Sequence, residues 1–274
     1  MSRKNYWLVF ICIVVFSTIF SGCGRIDDAA VSLGIKNKDF DYIRDGKISK
    51  VVIQNKRDKG FTFIVTDKDA IKDLYDILSS SKPVDNKITL DPDYILEFHE
   101  GVKQVHKFSY VAGLDKKDAG NLYSEDKVYI VSKRLDDDII KNFWNIRIPK
   151  EFNNVYYQSM LKAVKDYRKS AGDKKTIGID INDEEVAKFI LSMDLKDFSG
   201  NLDSKSEIIQ NDDRNKYDIT MDIETQGYKT DIYKCIITFY DKSTKKENKY
   251  YFINNYELGS WRFSFTKDKE PENF

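Results

Sequence analysis

The stretch Asp93-Tyr-Ile-Leu-Glu-Phe-His-Glu-Gly-Val-Lys-Gln-Val-His-Lys-Phe-Ser-Tyr-Val111 decides the fold. Apolar and polar residues alternate on both sides of a glycine, which is the pattern of two half-buried strands joined by a tight turn. His99-Glu100-Gly101 suits a three-residue turn with the glycine in the left-handed position. Phe98 then pairs with Val102, Leu96 with Gln104 and Tyr94 with His106. On the opposite face Ile95 meets Val105, Glu97 meets Lys103 and Asp93 meets Lys107. Two complementary ion pairs arise from one choice of register. The neighbouring register sets Phe98 against Lys103 and Ile95 against His106, which is poorer on both faces.

Outward from this hairpin the grammar is mixed. Ile48 to Ile53 and Phe61 to Val65 are rich in β-branched and aromatic residues, as strands are. A helix follows, with Thr66 or Asp67 as N-cap and Ile71, Leu74, Tyr75 and Leu78 at i, i+3, i+4 and i+7. Ser79-Ser80-Ser81-Lys82-Pro83 ends it. After the hairpin, Val128 to Val131 is a further strand. Ser132 caps a helix that carries Asp136, Asp137 and Asp138 near its first turn, where negative charge is favoured. Its apolar residues are Leu135, Ile139, Ile140, Phe143 and Trp144.

A second stretch repeats this style. Thr176 to Ile181 is a short strand, Asn182 and Glu185 form a capping-box-like pair, and Val186, Phe189, Ile190 and Met193 make a helical stripe. Tyr217, Ile219, Met221 and Ile223 alternate cleanly, and further strands fall at 231–240, 248–254 and 260–266. Asn154 to Lys169 is a helix between the stretches, closed by Ser170-Ala-Gly-Asp173. The expected fold is therefore α+β: two small domains, at 48–148 and 175–274, each a mainly antiparallel sheet with a covering helix, joined by a central helix within 149–174. A shift of 115 residues lays Ile71 on Val186, Leu74 on Phe189, Tyr75 on Ile190 and Leu78 on Met193. The two domains are thus candidates for a divergent duplication, which sheets of different strand order would exclude.

The chain begins differently. Arg3 and Lys4 precede an uncharged apolar run from Trp7 to Phe20, and Ser21, Gly22 and Cys23 follow. A basic start, an apolar centre and small residues before a cut are the parts of a secretory signal. The run is about 14 residues, short of the roughly 20 that cross a bilayer core. Phe20-Ser21-Gly22-Cys23 resembles the lipobox of bacterial lipoproteins, with Phe20 where Leu is usual. The resemblance implies a signal peptide over 1–22, cleavage before Cys23 and a diacylglyceryl group on its thiol. The lipid alone suffices for stable anchoring, since a second chain adds about 0.8 kcal/mol per buried CH₂. Residues 23–47 have weak periodicity and are expected to be the lipidated N-terminus and a tether. As a flexible coil the tether reaches on the order of 25 Å.

Composition narrows the partners. The chain has 45 basic and 45 acidic residues. Without Arg3 and Lys4 the balance is 43 to 45, which gives no long-range attraction for nucleic acid or anionic lipid. Charged residues make up 33%, against roughly 25% in an average domain, so the surface is well solvated. Lysine far outnumbers arginine, and Asn, Ile, Asp and Tyr are frequent, a bias of AT-rich genomes. With the lipobox it points to a low-GC Gram-positive bacterium. Of three cysteines, Cys12 leaves with the signal and Cys23 carries lipid, so Cys235 has no partner for a disulfide. Its neighbours Tyr233, Ile237 and Phe239 mark an apolar strand face and an inert, buried thiol.

Catalytic and metal motifs are sparse. His99 in the turn and His106 along the return strand are not placed as a pair, and no cluster of three or four zinc ligands occurs. Asp67-Lys-Asp69 fails as a calcium loop, because Lys72 stands at its sixth position and Leu78 at its twelfth. Helix capping explains these aspartates. Asp136 to Asp138 and Asn211-Asp-Asp213 read as solvated charge. No nucleophile elbow, phosphate-binding loop or dinucleotide fingerprint is present, so no cofactor and no catalytic residue is assigned. Tyr250, Tyr251, Phe252, Tyr256, Trp261, Phe263 and Phe265 are dense enough for a sugar- or strand-binding face, but small sheets need such residues for their own cores.

The segment Asp67-Lys-Asp-Ala-Ile-Lys-Asp-Leu-Tyr-Asp-Ile-Leu-Ser-Ser-Ser-Lys-Pro83, followed by Asp93-Tyr-Ile-Leu-Glu-Phe98 and a lysine-rich return strand, resembles uncharacterised lipoproteins of spore-forming low-GC Gram-positive bacteria. The resemblance covers about 100 residues, carries no catalytic motif, and implies a location and an α+β fold. The expected function is a lipid-anchored binding or assembly module on the extracytoplasmic face of the cell membrane, held there through Cys23 and acting on a protein or cell-wall partner. The alternatives are a surface enzyme acting on the cell wall and a solute-binding lipoprotein of a transporter. Convergent carboxylates in a deep cleft would favour the enzyme. The solute-binding protein would have two lobes with parallel sheets around a cleft.

Overall fold

The structure, a computed structural model, describes residues 36–274 except 103, 115–118, 144, 145, 173, 212 and 273. The leader, Cys12, Cys23, the first part of the expected tether, Trp144, Asp173 and Asp212 lie outside the described residues. The described chain is α+β, with two antiparallel-rich sheets in two small domains.

The first sheet contains β1 (Ile48–Asn55), β2 (Thr62–Val65), β3 (Lys82–Pro83), β4 (Tyr94–Glu100), β5 (Gln104–Tyr110), β6 (Leu122–Tyr123) and β7 (Val128–Ile130), in the order β2-β1-β4-β5-β6-β7-β3. Two elements cover its inner face. The helix α2 (Lys68–Ser79) follows a short helix α1 (Asp41–Arg44) in the chain. Asp67 caps α2 as expected, its carboxylate accepting the Ala70 N–H at 2.9 Å. Ile71, Leu74, Tyr75, Ile77 and Leu78 are buried under it, each stabilising the fold by roughly 1.5–3 kcal/mol relative to exposure. The second cover, Leu135–Ile140, is a π-helical turn. Leu135, Ile139 and Ile140 point inward from it, as the sequence predicts.

The hairpin forms, but four residues out of the expected register. Tyr94 pairs with Tyr110, Leu96 with Phe108, Glu97 with Lys107, Phe98 with His106 and Glu100 with Gln104. The turn therefore lies between Glu100 and Gln104, with Gly101 in the left-handed region at φ 60°. A shift of four keeps every side chain on its predicted face, because strand faces repeat every two residues. It exchanges Leu96–Gln104 for Leu96–Phe108, and that apolar match outweighs the ion pairs that favoured the shorter strands. One ion pair survives with a new partner: Lys107 Nζ lies 3.1 Å from Glu97.

The expected tether also shortens. Asn37 N–H donates to the Ser79 carbonyl at 2.8 Å, Tyr129 OH donates to Asp39 at 2.8 Å, and Phe40 is buried in the core. Residues 36–47 thus belong to the first domain.

The second sheet contains β8 (Ile177–Asp180), β9 (Ser206–Ile208), β10 (Ile219–Tyr228), β11 (Ile232–Asp241), β12 (Lys246–Glu257) and β13 (Ser260–Lys267), in the order β13-β12-β11-β10-β8-β9. β8 runs parallel to both β10 and β9. The central helix α3 (Phe152–Ala171) joins the domains and also covers this sheet. Its stripe of Val155, Tyr156, Met160, Ala163, Val164 and Tyr167 belongs to the same core as Tyr233, Ile237, Phe239, Tyr250 and Phe252. Tyr167 stacks on Phe239 at 4.2 Å. Gly172 ends the helix at φ 75°, its N–H returning to the Arg168 carbonyl.

The helix expected from Asn182 to Met193 does not form. The segment makes a short 3₁₀ turn at Ala187–Phe189, and α4 (Ser192–Gly200) starts beyond it. Val186, Phe189 and Ile190 are buried as their spacing predicts. The carbonyls of Lys188 and Ile190, however, accept from Asn55 and Arg57 of the first domain. The two sheets differ in strand order and direction, which excludes the duplication.

Candidate functional site

A set of buried titratable groups lies where the domains meet, and local sequence builds it from three places. β1 ends in Asn55, so Arg57 projects from the turn that follows. Asp93 immediately precedes β4. Ser192 opens α4. Arg57 Nη1 donates to Asp93 Oδ1 at 2.6 Å and to the Ile190 carbonyl at 3.1 Å. Arg57 Nη2 donates to Ser192 Oγ at 2.5 Å. The Ser192 N–H reaches the same Asp93 oxygen at 2.8 Å, and the Ala112 N–H reaches Oδ2 at 2.9 Å. Asn55 Nδ2 donates to the Lys188 carbonyl at 3.1 Å, while its Oδ1 accepts from the Arg57 and Asp58 N–H groups.

Three carboxylates in this region are pushed up from the ordinary range. Burial raises Asp93, outweighing the Arg57 guanidinium and the two backbone donors. Burial raises Asp136 against the Gly113 N–H that it accepts at 2.8 Å. Burial also raises Asp194, to about 6, against a hydrogen bond from Asn153. Raised carboxylates in one place are a common mark of acid–base chemistry. Asp93, however, is 0% exposed, with each oxygen already accepting from this chain. A substrate has no route to it. The cluster works as a clasp, with the buried charge satisfied by a guanidinium and by backbone N–H groups.

The residues singled out from the sequence scatter. His99 lies within β4 rather than in the turn, 3.8 Å from Glu97. His106 faces Phe98 rather than Tyr94, bonds Glu100 at 2.8 Å and stacks on Tyr42 at 3.9 Å. The two histidines occupy opposite faces of the hairpin. Cys235 is buried, and burial drives its thiol far above its ordinary range. Of the three successive aspartates, Asp136 is buried, Asp137 pairs with Lys141 at 2.5 Å and Asp138 with Arg134 at 2.7 Å. Among the described residues no three His, Cys, Asp or Glu side chains gather as metal ligands. Tyr250, Phe252 and Trp261 are core, while Tyr256, Phe263 and Phe265 pack half-buried against it.

Residues 44–149 match the model of a bacterial family, YhfM protein. The match takes in β1 to β7 and the π-helical turn and stops just short of α3. No curated protein matches the chain, and no solved structure does.

A more open feature lies in the second domain. Leu161, Val164, Lys165, Arg168 and Lys169 of α3 face Asn201, Leu202 and Asp203 across a groove of about 590 Å³. Its apolar floor comes from Leu161, Val164 and Leu202. Arg168 is committed internally, to Asp203 at 3.1 Å, to the Lys175 carbonyl at 2.6 Å and to Ser206 at 2.9 Å. Asp203 is held below its ordinary range by the Lys205 N–H and by Arg168, which outweigh its desolvation. An apolar floor with a lysine rim is suited to holding a ligand rather than to moving protons. The sequence carries no warning of the clasp, because Arg57, Asp93 and Ser192 are far apart in the chain and none belongs to a motif.

Proposed function

We propose that this chain is a lipoprotein, anchored through lipid on Cys23 to the extracytoplasmic face of the cell membrane, where it is a non-enzymatic binding or assembly module for a protein or cell-wall partner. The observation that carries the reading is the leader: Arg3 and Lys4, the uncharged run Trp7 to Phe20, then Ser21-Gly22-Cys23. Among the described residues no helix is long and apolar enough to cross a membrane. Asp93, the raised carboxylate held by Arg57, has both oxygens engaged within the chain, which speaks for a binding role over the cell-wall enzyme.

The test has two arms. Cys23→Ser, expressed in a Gram-positive host, should leave the precursor uncut, and mass spectrometry of the native protein should find diacylglyceryl on the Cys23 sulfur. An unmodified sulfur on a mature chain overturns the anchor. Crosslinking on intact cells should capture a surface protein or wall fragment. Turnover of a cell-wall substrate by the purified chain, lost on one point mutation, overturns the binding reading.

A further inference from the structure

β13 is the one long sheet end among the described residues. The other ends are β2 with 4 residues, β3 with 2 and β9 with 3, whereas β13 has 8. It contains no proline, and its pairing with β12 runs without a bulge from Tyr250–Lys267 to Glu257–Ser260. The turn residues Leu258 and Gly259 have φ 51° and 81°, the geometry of a two-residue hairpin whose flanking residues exchange hydrogen bonds. Ser260, Arg262, Ser264 and Thr266 therefore bond β12. Trp261, Phe263, Phe265 and Lys267 aim their N–H and C=O groups away from the sheet. Such a row is a template for another strand.

We propose that β13 pairs antiparallel with β13 of a second copy of this chain, about a two-fold axis at Phe263. Axes at Phe263 and at Ser264 both pair outward-bonding residues over equal lengths of β13. The Ser264 axis sets Trp261 against Lys267 of the second copy, whereas the Phe263 axis sets it against Phe265 and overlaps from Ser260 to Thr266. An axis at Phe265 runs out sooner, because the chain turns away at Asp268 (φ 53°), whose N–H returns to the Lys249 carbonyl. In the Phe263 register Phe263 meets its own copy, and Trp261 meets Phe265 of the second copy. The half-buried Phe263 and Phe265 rings thereby gain apolar cover. On the other face Arg262 meets Ser264 of the second copy and no like charges oppose one another, so the strand is complementary to itself.

The test measures the mass of the full chain in detergent by sedimentation over a dilution series. The parent should be dimeric. Ser264→Lys sets a lysine against Arg262 of the second copy at two symmetric places and should raise the dissociation constant roughly tenfold. Adding Arg262→Glu to the same chain makes both contacts attractive and should restore association. Circular dichroism of each variant should match the parent, since both side chains are exposed. A monomeric parent, an unaffected Ser264→Lys, or a double variant that fails to recover each overturns the proposal. So does a monomer whose β13 edge holds a strand of another protein.

Discussion

Asp183 shows how a single buried acid ties stability to pH. Its Oδ2 accepts the Thr225 N–H at 3.1 Å and the Thr225 hydroxyl at 2.7 Å, and Thr225 Oγ1 lies 2.8 Å from Tyr233 OH. Burial nevertheless pushes the carboxyl up to about 6, the Thr225 donors pulling the other way. In the unfolded chain the value is about 3.9. The folded state therefore binds this proton more tightly. The stabilisation is complete below the unfolded value and is lost as pH rises toward 6. Roughly two units correspond to about 3 kcal/mol. Asp183→Asn keeps an oxygen for Thr225 and removes the titration. Relative to the parent, the variant should gain stability progressively between pH 4 and 6 in chemical denaturation. Parallel pH profiles would falsify this assignment. Nothing in the sequence distinguishes Asp183 from its neighbours Glu184 and Glu185, because its partner lies on another strand. Cys235 was legible, since burial of a strand residue follows from its i±2 neighbours alone.

The elements that were legible are those whose signals lie within a few residues. α2 announces itself through a cap and a stripe. Asp67→Ala should cost about 1 kcal/mol, read as a lower denaturation midpoint with an unchanged slope. The β4–β5 hairpin was legible in its faces and not in its register. Pairings four apart share the same alternation, and it takes cross-strand matches such as Leu96 with Phe108 and Tyr94 with Tyr110 to separate them. The segment 182–193 shows the opposite failure. Its buried stripe is real, but a 3₁₀ turn and an extended link expose carbonyls that a continuous α-helix would consume. The parallel pairing of β8 was illegible for a related reason: its neighbours β9 and β10 arrive only after long excursions. That pairing is tight at Gly178, which sits opposite Thr220. A Cβ there would lie 2.3 Å from the Tyr217 ring. Gly178→Ala should therefore destabilise by about 1–3 kcal/mol through overpacking. A denaturation midpoint equal to the parent's would show that Tyr217 moves aside freely.

The groups that couple the two domains set whether the protein unfolds as one body. Asn55, Arg57 and Asp93 hold the segment from Lys188 to Ser192, and Leu191 packs against the first core. Interfaces within a chain that rest on little apolar area permit domains to move and unfold independently. Here the Arg57–Asp93 ion pair adds to the apolar contact that Leu191 makes with the first core. Removing one member of such a pair leaves an uncompensated charge and typically costs about 3–5 kcal/mol. Arg57→Met keeps the side-chain bulk and removes the guanidinium. Asp93 would then face only the Ser192 and Ala112 N–H groups. The parent should melt in one calorimetric transition, and Arg57→Met should separate it into two. In the variant, amide exchange at 188–192 should quicken before exchange in the two sheets does. Asp93→Asn added to Arg57→Met removes the stranded charge. The double variant should therefore lose less stability than the sum of the two single losses. A merely cosmetic contact would leave the single transition intact and the two substitutions additive. Splitting with additive energies would instead assign the coupling to Leu191 and its apolar neighbours.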